Sequence, residues 1–173
     1  MRIAVLGYSG SGKSTLAKRL GAAYGAPVLH LDIVQFLPGW VPRDRAEARR
    51  IVGDFMQNGS WVIDGNYEGF LQRERLEAAD AVIMLSFNRL ACLFRAFRRY
   101  LQYRGTARAC MAPGCEEKFD WEFVCWILHK GRTRKKRAHD REIQKTYAGK
   151  TVVLRNQRQL NAYLASLPAQ RAE

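Results

Sequence analysis

The sequence predicts an α/β domain built on a five-stranded parallel sheet flanked by helices, and three observations predict it. Short apolar runs alternate with stretches of helical periodicity, the pattern of parallel strands joined by right-handed crossovers. A glycine-rich segment, Gly7-Tyr8-Ser9-Gly10-Ser11-Gly12-Lys13-Ser14-Thr15, separates the first run from the first helix. Polar residues stand just after the runs: Asp32, Asp64, Asn88 with Arg89, and Arg155 with Asn156. In such a sheet, ligands lie beyond the carboxyl ends of the strands.

The elements follow in order. Residues 2–6 form a continuous apolar run, as a strand buried on both faces requires. The segment after it fits the pattern G-x-x-x-x-G-K-[ST] without a gap. Gly7, Gly10 and Gly12 open backbone dihedrals closed to other residues. Successive N–H groups from Ser9 through Ser11 to Thr15 then turn inward as an anion nest. Lys13 adds a cation at the β- and γ-phosphates of a bound triphosphate, and the Ser14 hydroxyl is placed to ligand Mg²⁺. Leu16, Ala17, Leu20 and Tyr24 continue at helical spacing, with Lys18 and Arg19 opposite. The helix start aims its positive dipole end at the anion.

Residues 27–31 read as a second strand, ending at Asp32. A loop with Pro38, Gly39, Trp40 and Pro42 leads to Asp44, a helix cap with Glu47 three residues on. Ile51, Val52 and Phe55 are that helix's apolar stripe, and Gly59 stops it. Residues 60–63 form a third strand, ending at Asp64-Gly65-Asn66-Tyr67. A short helix with Phe70, Leu71 and Leu76 follows, then a fourth strand over 81–85. Residues 89–103 read as a helix with Leu90, Leu93, Phe94, Phe97 and Leu101 inward. A glycine- and proline-containing loop spans 104–118, and 121–147 is mostly helical. Residues 151–154 make the fifth strand; Leu160, Tyr163, Leu164 and Leu167 mark a closing helix.

A chain of 173 residues, 47% hydrophobic, is most simply a single domain. The core is expected from 1–103 and 147–173, with 104–146 as a basic lid. No apolar run approaches the ~20 residues of a membrane span. An N-terminus that reads as strand and phosphate loop, not secretory signal, points to the cytoplasm. The net charge of +13 is uneven: residues 1–88 carry 10 basic and 9 acidic side chains, residues 89–158 carry 18 and 6. The basic half includes Arg95, Arg98, Arg99, Arg104, Arg108, Arg132 and Arg137. It suits arginines over a transferring phosphoryl group, a nucleic-acid partner, or a solvated cationic face. Cys110 and Cys115 flank a Met-Ala-Pro-Gly turn able to present two metal ligands, with Cys125 and His129 downstream. A lone pair at the edge of zinc spacing reads more simply as reduced thiols in a loop.

Asp32 is placed to orient or deprotonate an acceptor hydroxyl, or to hold Mg²⁺ through water. Asp64, after an apolar strand, is a second Mg²⁺ ligand or an acceptor contact. Trp40, in a loop, is an acceptor contact, whereas Trp61 sits inside a strand and packs. His30, on the same buried strand as Asp32, reads as a satisfied core histidine.

Gly7–Thr15, His30-Leu31-Asp32, residues 35–40 (Gln-Phe-Leu-Pro-Gly-Trp) and 61–67 (Trp-Val-Ile-Asp-Gly-Asn-Tyr) carry a resemblance over nearly the whole chain. Phe87-Asn88-Arg89, Arg98-Arg99-Tyr100, Asp120-Trp121-Glu122-Phe123, Trp126-Ile127-Leu128 and Lys130-Gly131-Arg132-Thr133 extend it. The chain resembles the bacterial P-loop proteins called DNA topology modulation proteins (FlaR-type), relatives of adenylate and shikimate kinases. The resemblance implies a three-layer P-loop fold with strand order 2-3-1-4-5, ATP and Mg²⁺ as cofactors, and a lid closing over the phosphates. It implies that arginines among Arg95, Arg98, Arg99 and Arg132 reach ATP or the transferred group, with Arg95, Arg99 and Arg132 as catalytic candidates, and that the loop at Arg155 and Asn156 lies against adenine. Asp32, Trp40, Asp64, Asn66 and Tyr67 then hold the acceptor. The segment Asp64-Gly65-Asn66-Tyr67 stands where adenylate kinases carry Asp-Gly-Phe-Pro-Arg, and Val34 stands where shikimate kinases carry a second aspartate. The implied activity is phosphoryl transfer from ATP to a small polar acceptor such as a nucleotide or nucleoside, by a monomer or dimer. The alternative is a nucleotide-regulated nucleic-acid-binding protein using the basic half.

Overall fold

A computed structural model describes residues 1–106 and 110–168, so Arg108 and the last five residues of the expected domain lie outside the described residues. The main sheet contains β1 (Arg2–Gly7), β2 (Val28–His30), β3 (Trp61–Asp64), β4 (Ala81–Leu85) and β5 (Thr151–Leu154). All its pairings are parallel, and the strands lie in the order β2-β3-β1-β4-β5. The one detail of strand layout absent from the sequence reading is a small antiparallel hairpin, Phe36–Leu37 against Val41–Pro42.

The helices are α1 (Lys13–Tyr24), α2 (Leu31–Gln35), α3 (Arg45–Phe55), α4 (Gln72–Ala78), α5 (Arg89–Tyr103), α6 (Trp121–Leu128), α7 (Arg134–Thr146) and α8 (Gln157–Ala165). Alternate strand residues point to opposite faces, which divides the core in two. Ile3, Val5, Val62, Ile83 and Leu85 pack with buried residues of α1, α5, α6 and α8. Ala4, Leu6, Trp61, Ile63, Val82 and Met84 pack with α2, α3, α4 and α7. The segment expected as a lid thus sets Ile127 of α6 and Ile143 of α7 into the main core. In β1, Val5 pairs with Asp64 on one side and Ile83 on the other, so the strand ends and their polar residues come out at one edge.

Side-chain caps close most helix starts. Asp44 accepts from Glu47 N at 2.9 Å, as its spacing predicts. Asn88, Asp120, Thr133 and Asn156 cap α5, α6, α7 and α8 in the same way. Helix α1 differs: it starts on Gly12, with no capping side chain and no acid in its first turn. Its first N–H groups are therefore left for a ligand or water.

Two expectations need correction. Asp32 sits in the first turn of α2, which begins at Leu31, and not in a strand-end loop. More consequentially, Leu90, Phe94, Phe97 and Leu101 do not point inward; all four are exposed. Cys92 and Ala96 are the fully buried residues of α5, with Leu93 packed partly against the core. The reason is steric. A Cβ at Gly10 would lie 2.3 Å from Cys92 O, so the loop backbone touches the helix backbone and only small side chains fit between them.

Arg75, fully buried, organises the connection after β3. Its Nε donates to Phe70 O at 2.9 Å, one Nη to Tyr67 O at 2.9 Å and the other to Gly65 O at 3.4 Å. Burial pulls its pKa down to about 10. Arg75→Met leaves those carbonyls without donors and should cost roughly 2–4 kcal/mol of stability. Urea denaturation measures this; a variant as stable as the parent would contradict the assignment.

Candidate functional site

The loop between β1 and α1 forms the floor of a cleft of about 1600 Å³. Gly10 and Gly12 hold φ of +78° and +96°, which turns the loop back across the start of α1. Lys13 Nζ donates to Tyr8 O at 3.1 Å. Burial pulls the Lys13 pKa below the usual lysine value; the carboxylates of Asp64 and Asp32 oppose that pull, and Arg99 reinforces it. Ser11 is wholly buried, and its Oγ has no hydrogen-bond partner among the described residues. Ser9 Oγ accepts from Trp126 Nε1 at 3.1 Å. Ser14 and Thr15 line the cleft. An uncapped helix start, a partly buried ammonium and an unpaired buried hydroxyl fit a polyphosphate. Oxygen donors from Ser14, Asp32 and Asp64 suit a hard divalent cation such as Mg²⁺.

Two carboxylates line the same cleft with different partners. His30 Nδ1 lies 3.1 Å from Asp64 Oδ2, both residues being buried. The Tyr67 hydroxyl donates to Asp32 Oδ1 at 2.7 Å. Burial first, then the Asp32 charge and this bond, push the Tyr67 pKa far above the ordinary phenol value. Trp40, at φ +67°, donates its N–H to Cys115 Sγ at 3.3 Å and sets its ring edge-on to Phe36. Lys118 Nζ lies 5.4 Å from the Trp40 ring centre.

Asn66 clasps the loop: Gly7 N donates to Asn66 Oδ1 at 2.9 Å, and Asn66 Nδ2 donates to Gly7 O at 2.8 Å. Gln72 Nε2 donates to Asn66 O at 3.1 Å, and His139 Nε2 lies 2.7 Å from Gln72 Oε1. A chain of polar contacts thus runs from the loop to α7. Neither Gln72 nor His139 was foreseen, because no motif marks a residue that acts through another's backbone.

The three arginines converge on the loop. Arg95 donates to Ser11 O at 2.6 Å, pairs with Gln157 Oε1 and lies over the Phe87 ring. Arg99 Nε lies 2.8 Å from Glu117 Oε2, with its guanidinium within electrostatic reach of Lys13. Arg132 is buried against Tyr8, its Cζ 3.6 Å from the ring centre. It donates to Ile127 O, Phe87 O and Cys92 Sγ. Burial first, then the neighbouring Asp140 charge, push the Tyr8 pKa up, a proximity that sequence spacing does not reveal. Arg155 faces a smaller groove with Arg137 and Arg141, and Asn156 caps α8. Gln157, the next residue, and Asn161, one turn beyond it, line the main cleft.

Cys110 and Cys115 are buried beside Met111 and Ala112, packed on Phe36 and Trp40. Among the described residues no group of three or more His, Cys, Asp or Glu is arranged to hold a metal ion. Nor is any described helix long and apolar enough to cross a membrane.

The fold has solved relatives. A shikimate kinase from Bacteroides thetaiotaomicron is 17% identical, with a TM-score of 0.50, covering 95% of this chain and 94% of its own. A candidate kinase from Chloroflexus aurantiacus j-10-fl is 18% identical, with a TM-score of 0.49, over 74% of this chain and 77% of its own. Identity at this level is a likeness of fold. No protein-family model and no curated protein matches the chain.

Anion binding beside Lys13 favours its charged form and restores its depressed pKa, so polyphosphate binding should be accompanied by proton uptake. Affinity should fall as pH rises through the depressed pKa. Calorimetry in two buffers of different ionisation heat measures the uptake. Equal uptake by the parent and Lys13→Met would contradict this role.

Proposed function

We propose that the chain is an ATP-dependent phosphotransferase acting on a small polar acceptor, such as a nucleotide or nucleoside, and that it belongs with the FlaR-type P-loop proteins. One observation carries the reading: the uncapped start of α1 and Lys13 share a single cleft with the Asp32–Tyr67 and Asp64–His30 pairs. A cleft of about 1600 Å³ exceeds the roughly 300–1,000 Å³ of a one-ligand pocket, which suits two substrates side by side.

Bound ATP with Mg²⁺ supplies the transferable phosphoryl group and a dication between the phosphates. The backbone of Gly7, Ser9, Gly10, Ser11, Gly12 and Thr15 holds the phosphates, and Lys13 leaves Tyr8 O for them. Ser14 and Asp64 would hold the metal, with His30 fixing the Asp64 carboxylate. Asp32, its Oδ1 engaged by Tyr67, presents Oδ2 to an acceptor hydroxyl and takes its proton as the acceptor oxygen attacks phosphorus and ADP departs. Trp40 and Tyr67 flank the acceptor. Arg95 fixes the loop through Ser11 O, Arg132 braces it through Tyr8, and Arg99 adds positive charge where negative charge builds. Residues 104–146 serve as the lid of a single domain, and Arg155 and Asn156 lie near the base. The protein works in the cytoplasm.

The gathering of Arg95, Arg99 and Arg132 around the loop, and not in an open stripe, supports phosphoryl transfer over nucleic-acid binding.

Purified protein with Mg²⁺ and ATP, screened against nucleotides, nucleosides and polar metabolites, should release ADP far above background with the correct acceptor. A panel that never raises turnover would count against the reading. Asp32→Asn should keep ATP affinity and lower kcat by about 10²-fold or more, measured by single-turnover kinetics. Equal loss of ATP affinity would move Asp32 to the nucleotide side.

A further inference from the structure

Helix α5 carries a second surface unconnected with phosphate chemistry. Leu90, Phe94, Phe97 and Leu101 are 73%, 61%, 42% and 57% exposed. Their spacing of four, three and four is that of alternate d and a positions in two heptads. The residues opposite, Cys92 and Ala96, face the core, so the apolar seam is turned directly outward. A 15-residue helix offers a seam about 22 Å long. Side chains this exposed contribute a large share of the roughly 800 Å² per partner of a standard interface. Isolated exposed leucines are ordinary, but a continuous stripe marks an interaction surface.

We propose that this seam binds the same seam of a second copy of the chain, antiparallel about a two-fold axis between Phe94 and Phe97. The pattern is self-complementary: Leu90 meets the other Leu101, and Phe94 meets the other Phe97. The flanks tolerate this arrangement. Arg98, at the e position, comes to Ala91 of the other copy, and Tyr100 and Leu93 occupy the g positions. A parallel pairing would instead bring Arg104, just past the end of the helix, near its twin. The antiparallel one keeps these like charges at opposite ends.

Net charge gives the proposal a signature. Two chains of +13 repel at long range, and salt screens that repulsion while leaving the apolar seam intact. Dimerisation of the full chain should therefore strengthen as salt rises. Binding to an anionic surface would weaken instead.

Sedimentation velocity across protein concentration, at about 0.05 and 0.5 M NaCl, tests this. The expected result is a monomer–dimer equilibrium displaced towards dimer at the higher salt. Phe94→Glu and Phe97→Glu should each weaken dimerisation at least ~100-fold, because a charge would be buried in the seam. Phe94 is exposed in the single chain, so the urea midpoint of its variant should stay at the parent value, whereas Phe97→Glu also loses the packing of that ring 5.3 Å from Phe119. Phe94→Leu, which keeps the seam apolar, should retain the dimer. Mixed Leu90→Cys and Leu101→Cys chains should cross-link under mild oxidation, and neither chain alone should do so. A monomer at every concentration and salt would overturn the proposal. So would dimers unaffected by the glutamates, or association found only on phosphatidylserine vesicles and lost in salt.

Discussion

The backbone of the loop at Gly10 presses on the backbone of α5 at Cys92, and much of the molecule is arranged around that contact. With no room for side chains between the two, α5 must present Cys92 and Ala96 to the core. A helix has one inward face, so its large residues are left on the outward one. The contact also sets Arg95, one turn along, where its guanidinium reaches Ser11 O. One steric demand thereby fixes the loop's shape, the arginine beside it and the exposed apolar seam.

The loop is held from the other side by polar contacts. Asn66 clasps Gly7 through both halves of its amide, and Gln72 carries the connection to His139. Asp140 of α7 lies beside Tyr8, whose ring supports Arg132. Helix α7, whose Ile143 is anchored in the core, therefore touches the loop through two independent routes. Any shift of α7 would be felt at the loop between β1 and α1.

Much of the frame was legible because its signals are local. Alternating apolar runs, the Asp44–Glu47 cap and the glycine pattern each act within a few residues, and the sheet order followed from the resemblance those motifs carry. The α5 face was not legible. Helical periodicity shows that a stripe exists, but the side that turns inward was decided by Gly10, some eighty positions away in sequence. Site residues divide along the same line. Lys13, Asp32, Asp64 and Tyr67, each within a few residues of a strand or loop end, line one cleft. Tyr8, Gln72, Asp140 and Gln157 act through distant partners and left no pattern to find. Arg155 faces the smaller groove while Gln157, two residues on, lines the main cleft, since strand-end position says nothing of which groove a side chain enters.

The two carboxylates show how one fold gives the same group different work. Asp64 is buried against an imidazole at the end of a central strand, within electrostatic reach of Lys13. Such a carboxylate suits a fixed charge, able to share a metal. Asp32 sits at the start of a five-residue helix, held by a phenol whose own proton is lost only at extreme pH. A neutral donor orients a carboxylate without neutralising it, leaving its second oxygen basic towards an incoming hydroxyl. The division of roles under the proposed reading thus follows from each acid's hydrogen-bond partner, and environment assigns the chemistry.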